Sequence, residues 1–240
     1  MPEPTMSDDY FFSPYADSWW NDDSKMNPLR SFNPERFAYF DRFLDDWKGQ
    51  RVLDVGCGGG YTTEFLHQRG SRVCGVDPSA KLVAAATRHA DDTDRDISYT
   101  VGKAEELPYP DRSFDVVTCV DVLEHVESPA LAVREIHRVL DDGGIFLYDT
   151  INRTLRSRIM MIWLPERVLG IVPRGAHDHR DFITPDEMLG HLGAAGFVPL
   201  GRMAGISIRG QRKDGSLRLK PTRDLSSLYL GAARRLEGRG

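Results

Sequence analysis

At 240 residues the chain is long enough for one sizeable α/β domain with additions and too short for two full ones. Apolar content of 40% and charged content of 28% are those of a globular protein, which excludes a largely disordered chain, and no unbroken apolar run has the length of a membrane-crossing helix. The formal net charge of −5 argues against nucleic acid as the main partner, because phosphate binding wants a basic face.

The first 18 residues, with Pro2, Pro4 and Pro14, read as a poorly ordered terminus, and residues 19–240 as a single domain. Residues 19–50, opened by Trp19-Trp20, are expected to form an N-terminal helical cap. The run Val52-Leu53-Asp54-Val55 then suits a parallel strand covered on both faces, and it breaks into Gly56-Cys57-Gly58-Gly59-Gly60. Such a loop leaves no Cβ to block a molecule lying against bare backbone. Residues 61–69 have helical spacing, which places a helix N-terminus beside the loop. The spacing is G-x-G-G-G. A dinucleotide fingerprint would need glycine where Tyr61 stands, so a pyrophosphate ligand is disfavoured.

A second strand, 72–76, ends at Asp77, about 20 residues after the loop, where a ribose hydroxyl pair would meet a carboxylate. Capping the helix that begins near Pro78 or Ser79 is the other role open to Asp77. A helix over 79–90 and a charge-rich loop over 91–96 follow, then Lys103-Ala104-Glu105-Glu106 before a strand at 114–119. A helix over 130–140, a turn at Gly143-Gly144 and a strand over 145–149 complete the alternation of a parallel sheet with right-handed crossovers. The three cysteines, Cys57, Cys74 and Cys119, show no metal-ligand spacing. With no secretory segment at the N-terminus, they read as reduced core residues in a cytoplasm. For Cys57 its small size is a sufficient explanation of its place in the loop.

The acid at Asp54 followed by Gly56, Gly58 and Gly60 resembles motif I of Rossmann-like, class I S-adenosylmethionine-dependent methyltransferases. A closer likeness lies outside that shared core. Trp19-Trp20-Asn21, Asn33-Pro34-Glu35-Arg36, the run from Cys119 to Val126, Asn152-Arg153, and Val172 to Asp178 resemble the ubiquinone-biosynthesis O-methyltransferase family, in the same order. The likeness implies a mostly parallel seven-stranded α/β sheet flanked by helices, with an insertion near 153–180 facing substrate or membrane. It further implies S-adenosylmethionine as donor, Arg36 on the donor's methionine carboxylate, and Asp54, Gly56, Gly58, Asp77, Ala104, Glu105 and Val120 around the rest of the donor. A guanidinium fork suits a carboxylate because it can bind both oxygens.

Asp121, Glu124 and His125 stand at i, i+3 and i+4, so a helical turn would gather them on one face beside the donor's methyl group. The eukaryotic branch of the family assigns the matching residues to magnesium, and here the first acid is Asp where the family usually has Glu. Either a metal lowers the pKa of a phenolic acceptor, or His125 or His177 takes its proton. His67, His89, His137 and His191 fall on expected helices, where packing or solvent explains them.

The segment 159–172 is unusually apolar and is flanked by Arg153, Arg156, Arg158 and Arg174. Over 153–176 it reads as an element covering a greasy substrate or resting on anionic lipid, with a helix packed on the sheet or against a second subunit as the structural alternative. Residues 208–219 read as a basic hairpin turning at Asp214-Gly215. The expected activity is O-methylation of a catechol or hydroxyquinone-like, prenylated small molecule. Its rivals are methyl transfer to carbon or nitrogen on the same fold, and a silent accessory protein that binds donor or lipid.

Overall fold

The computed structural model describes residues 12–162, 178–212 and 216–236. The chain opens with a 3-10 helix, Ser13–Ser18, and two short helices, α1 (Asn27–Arg30) and α2 (Phe32–Phe40). Strands and helices then alternate: β1 (Arg51–Val55), α3 (Tyr61–Gln68), β2 (Arg72–Asp77), α4 (Ala80–Asp92), β3 (Ser98–Val101), β4 (Phe114–Cys119), α5 (Pro129–Val139) and β5 (Leu140–Ile151). After the short α6 (Leu155–Ser157) come α7 (Pro185–Ala195), β6 (Phe197–Pro199), β7 (Ala204–Gln211), β8 (Leu217–Thr222) and β9 (Leu228–Arg235).

The five N-terminal strands lie parallel in the order β3-β2-β1-β4-β5, and β9 is antiparallel to β5. β6 and β7 pair with the two ends of β9, and β8 closes the edge on β7. Successive residues of each central strand point to opposite faces, and both faces are covered. Leu53, Val117 and Phe146 pack under α5 and α7 with Ile136, Met188 and Leu192. Val52, Val116 and Leu147 pack with Phe37 and Phe40 of α2, Trp47 and Leu66. Serine caps start the helices beside the sheet: Ser79 accepts from the Leu82 N–H and Ser128 from the Leu131 N–H.

The expected sheet had seven strands; nine are present among the described residues. The antiparallel region is divided because β6 and β7 share one partner, and the basic hairpin adds β8. That hairpin joins Gln211 opposite Leu217, while Asp214 and Gly215 lie outside the described residues. The helix expected over 79–90 runs on to Asp92, into what was expected to be a charged loop. Most of the apolar 159–172 segment, together with His177, also lies outside the described residues.

The N-terminus departs further from expectation. Residues 13–18, expected to be poorly ordered, form the 3-10 helix, with Ser13 and Ala16 buried. The Ser13 and Ser79 hydroxyls are 2.7 Å apart, the Trp20 Nε1–H donates to the Gly59 carbonyl at 2.8 Å, and Trp20 stacks on His89 with ring centroids 3.6 Å apart. Order here comes from docking on α4 and the glycine loop, which local composition does not reveal. Trp20→Ala removes the stack and that hydrogen bond together. It is expected to lower unfolding free energy by about 2 kcal/mol and to raise hydrogen exchange selectively in residues 12–20, read by denaturant melts and exchange mass spectrometry.

Candidate active site

The glycine loop between β1 and α3 is shaped by left-handed backbone at Gly56 (φ +70°), Gly58 (φ +53°) and Gly60 (φ +99°), which side-chain-bearing residues rarely adopt. Space is equally demanding. A Cβ on Gly56 would lie 2.2 Å from a Val122 methyl, and one on Gly59 would lie 2.4 Å from the Trp19 ring. Gly59, the third glycine of the run, is therefore required by Trp19, which closes over the loop. Tyr61 joins them, its hydroxyl donating to the Trp19 carbonyl.

A cavity of about 460 Å³ crosses the C-terminal ends of the strands. Its walls include Gly56, Gly58 and Asp77 under the cap on one side, and Met161, Ile208 and Leu228 on the other. A crevice at the carboxyl ends of the strands is where open α/β sheets bind ligands. Of the residues picked out by sequence, Arg36, Gly56, Gly58, Asp77, Ala104, Glu105, Val120, Asp121, Glu124 and His125 all line it. Asp54 does not. Its carboxylate is turned into the sheet, accepting from the hydroxyls of Thr63 (2.7 Å) and Thr118 (2.9 Å), and burial pushes it up to about 6 against those bonds.

Asp77 stands at the end of β2 with both roles visible. One oxygen accepts from the Gly58 N–H at 2.9 Å, fixing the loop, and the other from the Ser79 N–H at 2.9 Å, beside the helix cap. Burial raises its carboxyl to about 6, opposed by those two amides. Glu105 also braces the backbone. One of its oxygens accepts from the N–H groups of Glu127 (2.8 Å) and Ser128 (3.3 Å), tying the loop after β3 to the segment that carries His125.

Arg36 reaches the cavity wall from α2 and is buried. Its Nε donates to Asp149 at 2.5 Å, its Nη2 to Asp121 at 2.6 Å and its Nη1 to Asn33 at 3.1 Å. Burial alone would lower its pKa, but the two carboxylates outweigh that and raise it. Asp149 was not singled out from sequence. A lone acid within the apolar run of β5 was the available signal, since such a group needs a buried partner.

The i, i+3, i+4 spacing does not form the expected helical turn. Residues 121–128 are a loop in which Asp121 takes φ +58° and the His125 N–H donates to the Val122 carbonyl at 2.8 Å. Glu124 is buried and accepts from the Thr150 hydroxyl at 2.8 Å; burial, with Asp121 and Asp149 adding repulsion, lifts its carboxyl to about 8. His125 stands at the cavity wall with Phe12 set edge-on at 5.8 Å, and the surrounding protein lowers its pKa below the ordinary 6.5 despite Asp121.

Magnesium does not fit this donor set. The Asp121 carboxylate is bound by Arg36, Glu124 favours its neutral acid form, and among the described residues no three acidic, histidine or cysteine side chains gather as metal ligands.

S-Adenosylmethionine does fit. Gly56 and Gly58 line the cavity at the end of β1, and the Asp77 carboxylate stands beside them at the end of β2. Residues 53–148 match the family model described as a methyltransferase domain. Among solved structures, a S-adenosylmethionine-dependent methyltransferase from Aquifex aeolicus aligns with TM-score 0.66 at 17% identity, covering 95% of this chain and 100% of that one. The YcgJ protein of Bacillus subtilis aligns at 0.61 and 18% identity, over 85% and 99%. Fold and site thus define a class I S-adenosylmethionine-dependent methyltransferase.

Curated relatives narrow this. A ubiquinone biosynthesis O-methyltransferase of Idiomarina loihiensis is 40% identical, over 77% of this chain and 76% of its own length. One of Coxiella burnetii is 36% identical over 91% of each. The chain belongs to the ubiquinone biosynthesis O-methyltransferase family.

The raised carboxyl of Glu124 makes stability depend on pH. Below about 4.5 the group is protonated in both folded and unfolded chains; as pH rises toward 8 only the unfolded chain ionises it, so folding loses free energy across that interval. Glu124→Gln is expected to match the native protein near pH 5 and to exceed its stability by an amount on the order of a few kcal/mol near pH 9, read by denaturant melts across pH.

Proposed function

We propose that the chain methylates a hydroxyl of a catechol or hydroxyquinone-like ring carrying an apolar chain, as a step in quinone biosynthesis. The observation that supports this best is the continuous cavity that runs from the glycine loop, past His125, to an apolar mouth at Met160, Met161, Ile208 and Leu217. The glycine-loop end carries the charged groups Arg36 and Asp77 among aromatic and apolar walls, and the other end suits a greasy substituent.

Bound S-adenosylmethionine supplies an electrophilic methyl group on a sulfonium. The chain's own contribution is to align the acceptor oxygen behind that methyl and to remove its proton. His125 holds the matching state for proton removal, because its lowered pKa leaves the ring neutral at pH 7 and able to accept. Glu124, a neutral acid at that pH and bonded to Thr150, supports the loop beneath it. Gly56, Gly58, Asp77, Ala104, Glu105 and Val120 are assigned to the donor, and Arg36, which also lines the cavity, to its methionine carboxylate on the family likeness. His177 is retained as an alternative base on the family likeness alone.

Residues 153–176 are read as a peripheral membrane contact that receives the greasy acceptor. The exposure of Leu155 and Ile159 beside the exposed Arg156 and Arg158 supports this. Among the described residues no helix is long and apolar enough to cross a membrane.

Purified protein incubated with S-adenosylmethionine and a panel of catechols and quinols is expected to give a product heavier by one methyl, undiminished by chelator. Products methylated at carbon or nitrogen, or no turnover across the panel, would overturn the assignment. His125→Asn is expected to lower kcat on the order of a hundredfold or more and to abolish the acid limb of the kcat/KM profile, which in the native enzyme falls below pH 6.5 as the ring protonates.

A further inference from the structure

The cavity wall beside the glycine loop presents an ion pair, Arg36 with Asp121, backed by Asp149. Arg36 is 1% exposed and Asp149 fully sealed, but the Asp121 side chain keeps 31% of its surface open. Its Oδ2 accepts from Arg36, which leaves further lone-pair sites on the same carboxylate. Its backbone is held at φ +58°, and Asp149 secures that conformation: one Asp149 oxygen accepts the Asp121 N–H at 2.7 Å while the other accepts Arg36 Nε. Two carboxylates thus oppose one guanidinium. A ligand bringing only a carboxylate would meet more negative than positive charge here. A ligand bringing a carboxylate with an adjacent cation would find a partner for each.

We infer that Asp121 binds the α-ammonium of the donor's methionine end, with Asp149 as its positioning residue, so that Arg36 and Asp121 together read an α-amino acid zwitterion. The inference rests on the cavity being the donor site. It gives Asp121 a role in binding, separate from the proton transfer assigned to His125. The α-ammonium is common to S-adenosylmethionine and to the demethylated product, so the effect is read in binding with no turnover.

The test is calorimetric binding of S-adenosylhomocysteine and of its analogue lacking the α-amine, to the native protein and to Asp121→Asn. The native protein is expected to bind the amine-free analogue at least about tenfold more weakly, and Asp121→Asn to bring the two ligands within about threefold of each other. Equal affinities in the native protein would overturn the inference. So would an Asp121→Asn protein that weakens both ligands by one factor, which would mean Asp121 serves only Arg36. No binding of S-adenosylhomocysteine at all would overturn the donor reading of the cavity and this inference with it. Asp121→Ser carries the same comparison if the asparagine variant does not fold.

Discussion

A guanidinium taken out of water must be neutralised where it stands, and Arg36 imposes that requirement on three parts of the chain at once. Its partners lie on the end of β5, in the loop after β4, and one turn earlier on α2. Removing a charge from water costs several kcal/mol unless geometry returns it, so α2 has few places to dock other than where Asp149 and Asp121 converge. Asp149 carries the constraint further by accepting the Asp121 N–H, which sets the backbone of the segment leading to Glu124 and His125. The position of the cap and the conformation of the acceptor-side loop are therefore one electrostatic problem.

That dependence separates what could be read in the chain from what could not. The central strands were legible because a parallel strand covered on both faces is a continuous apolar run, and Val52 to Val55 ends at glycines whose positive φ only glycine adopts readily. Gly56, Gly58, Asp77 and Val120 were legible as cavity residues for the same reason, since they stand at the ends of those strands. The edge was harder: β6 has three residues, and β8 exposes Arg218 and Lys220 on a flank that need not be apolar. The spacing of Asp121, Glu124 and His125 misled because i, i+3, i+4 also occurs in a loop, and a left-handed aspartate leaves no mark in the sequence. The ordering of residues 13–18 and the burial of Asp54 against two threonines are tertiary facts, set by residues distant in the chain.

Trp19 and Trp20 show how the cap and the donor loop depend on each other. Gly59 has room for Trp19 only because it lacks a Cβ, and Trp20 anchors on the same residue's carbonyl. Besides its stack on His89, the Trp20 ring has the Arg30 guanidinium 5.4 Å from its centroid, so the segment is held by both α1 and α4. Glycine here admits the Trp19 ring to close packing against the loop that lines the cavity.

The electrostatics of the acceptor side follow from the proposed reaction. A cavity walled by Met160, Met161, Ile208 and Leu228 is a poor solvent for isolated charge, and it favours a step in which a cation and an anion cancel. O-methylation by a sulfonium has that character only if the hydroxyl has already lost its proton, so the walls that assist the transfer also oppose the phenolate on which it depends. Relief requires a base inside the cavity that is uncharged beforehand. His125, with its pKa lowered by the surrounding protein, meets that condition. Glu124 does not, since an ionised carboxylate at that depth would raise the cost of the phenolate beside it, and its upward shift to about 8 keeps it neutral. In the proposed reaction, the burial that makes Glu124 unsuited to holding a cation leaves the proton to His125.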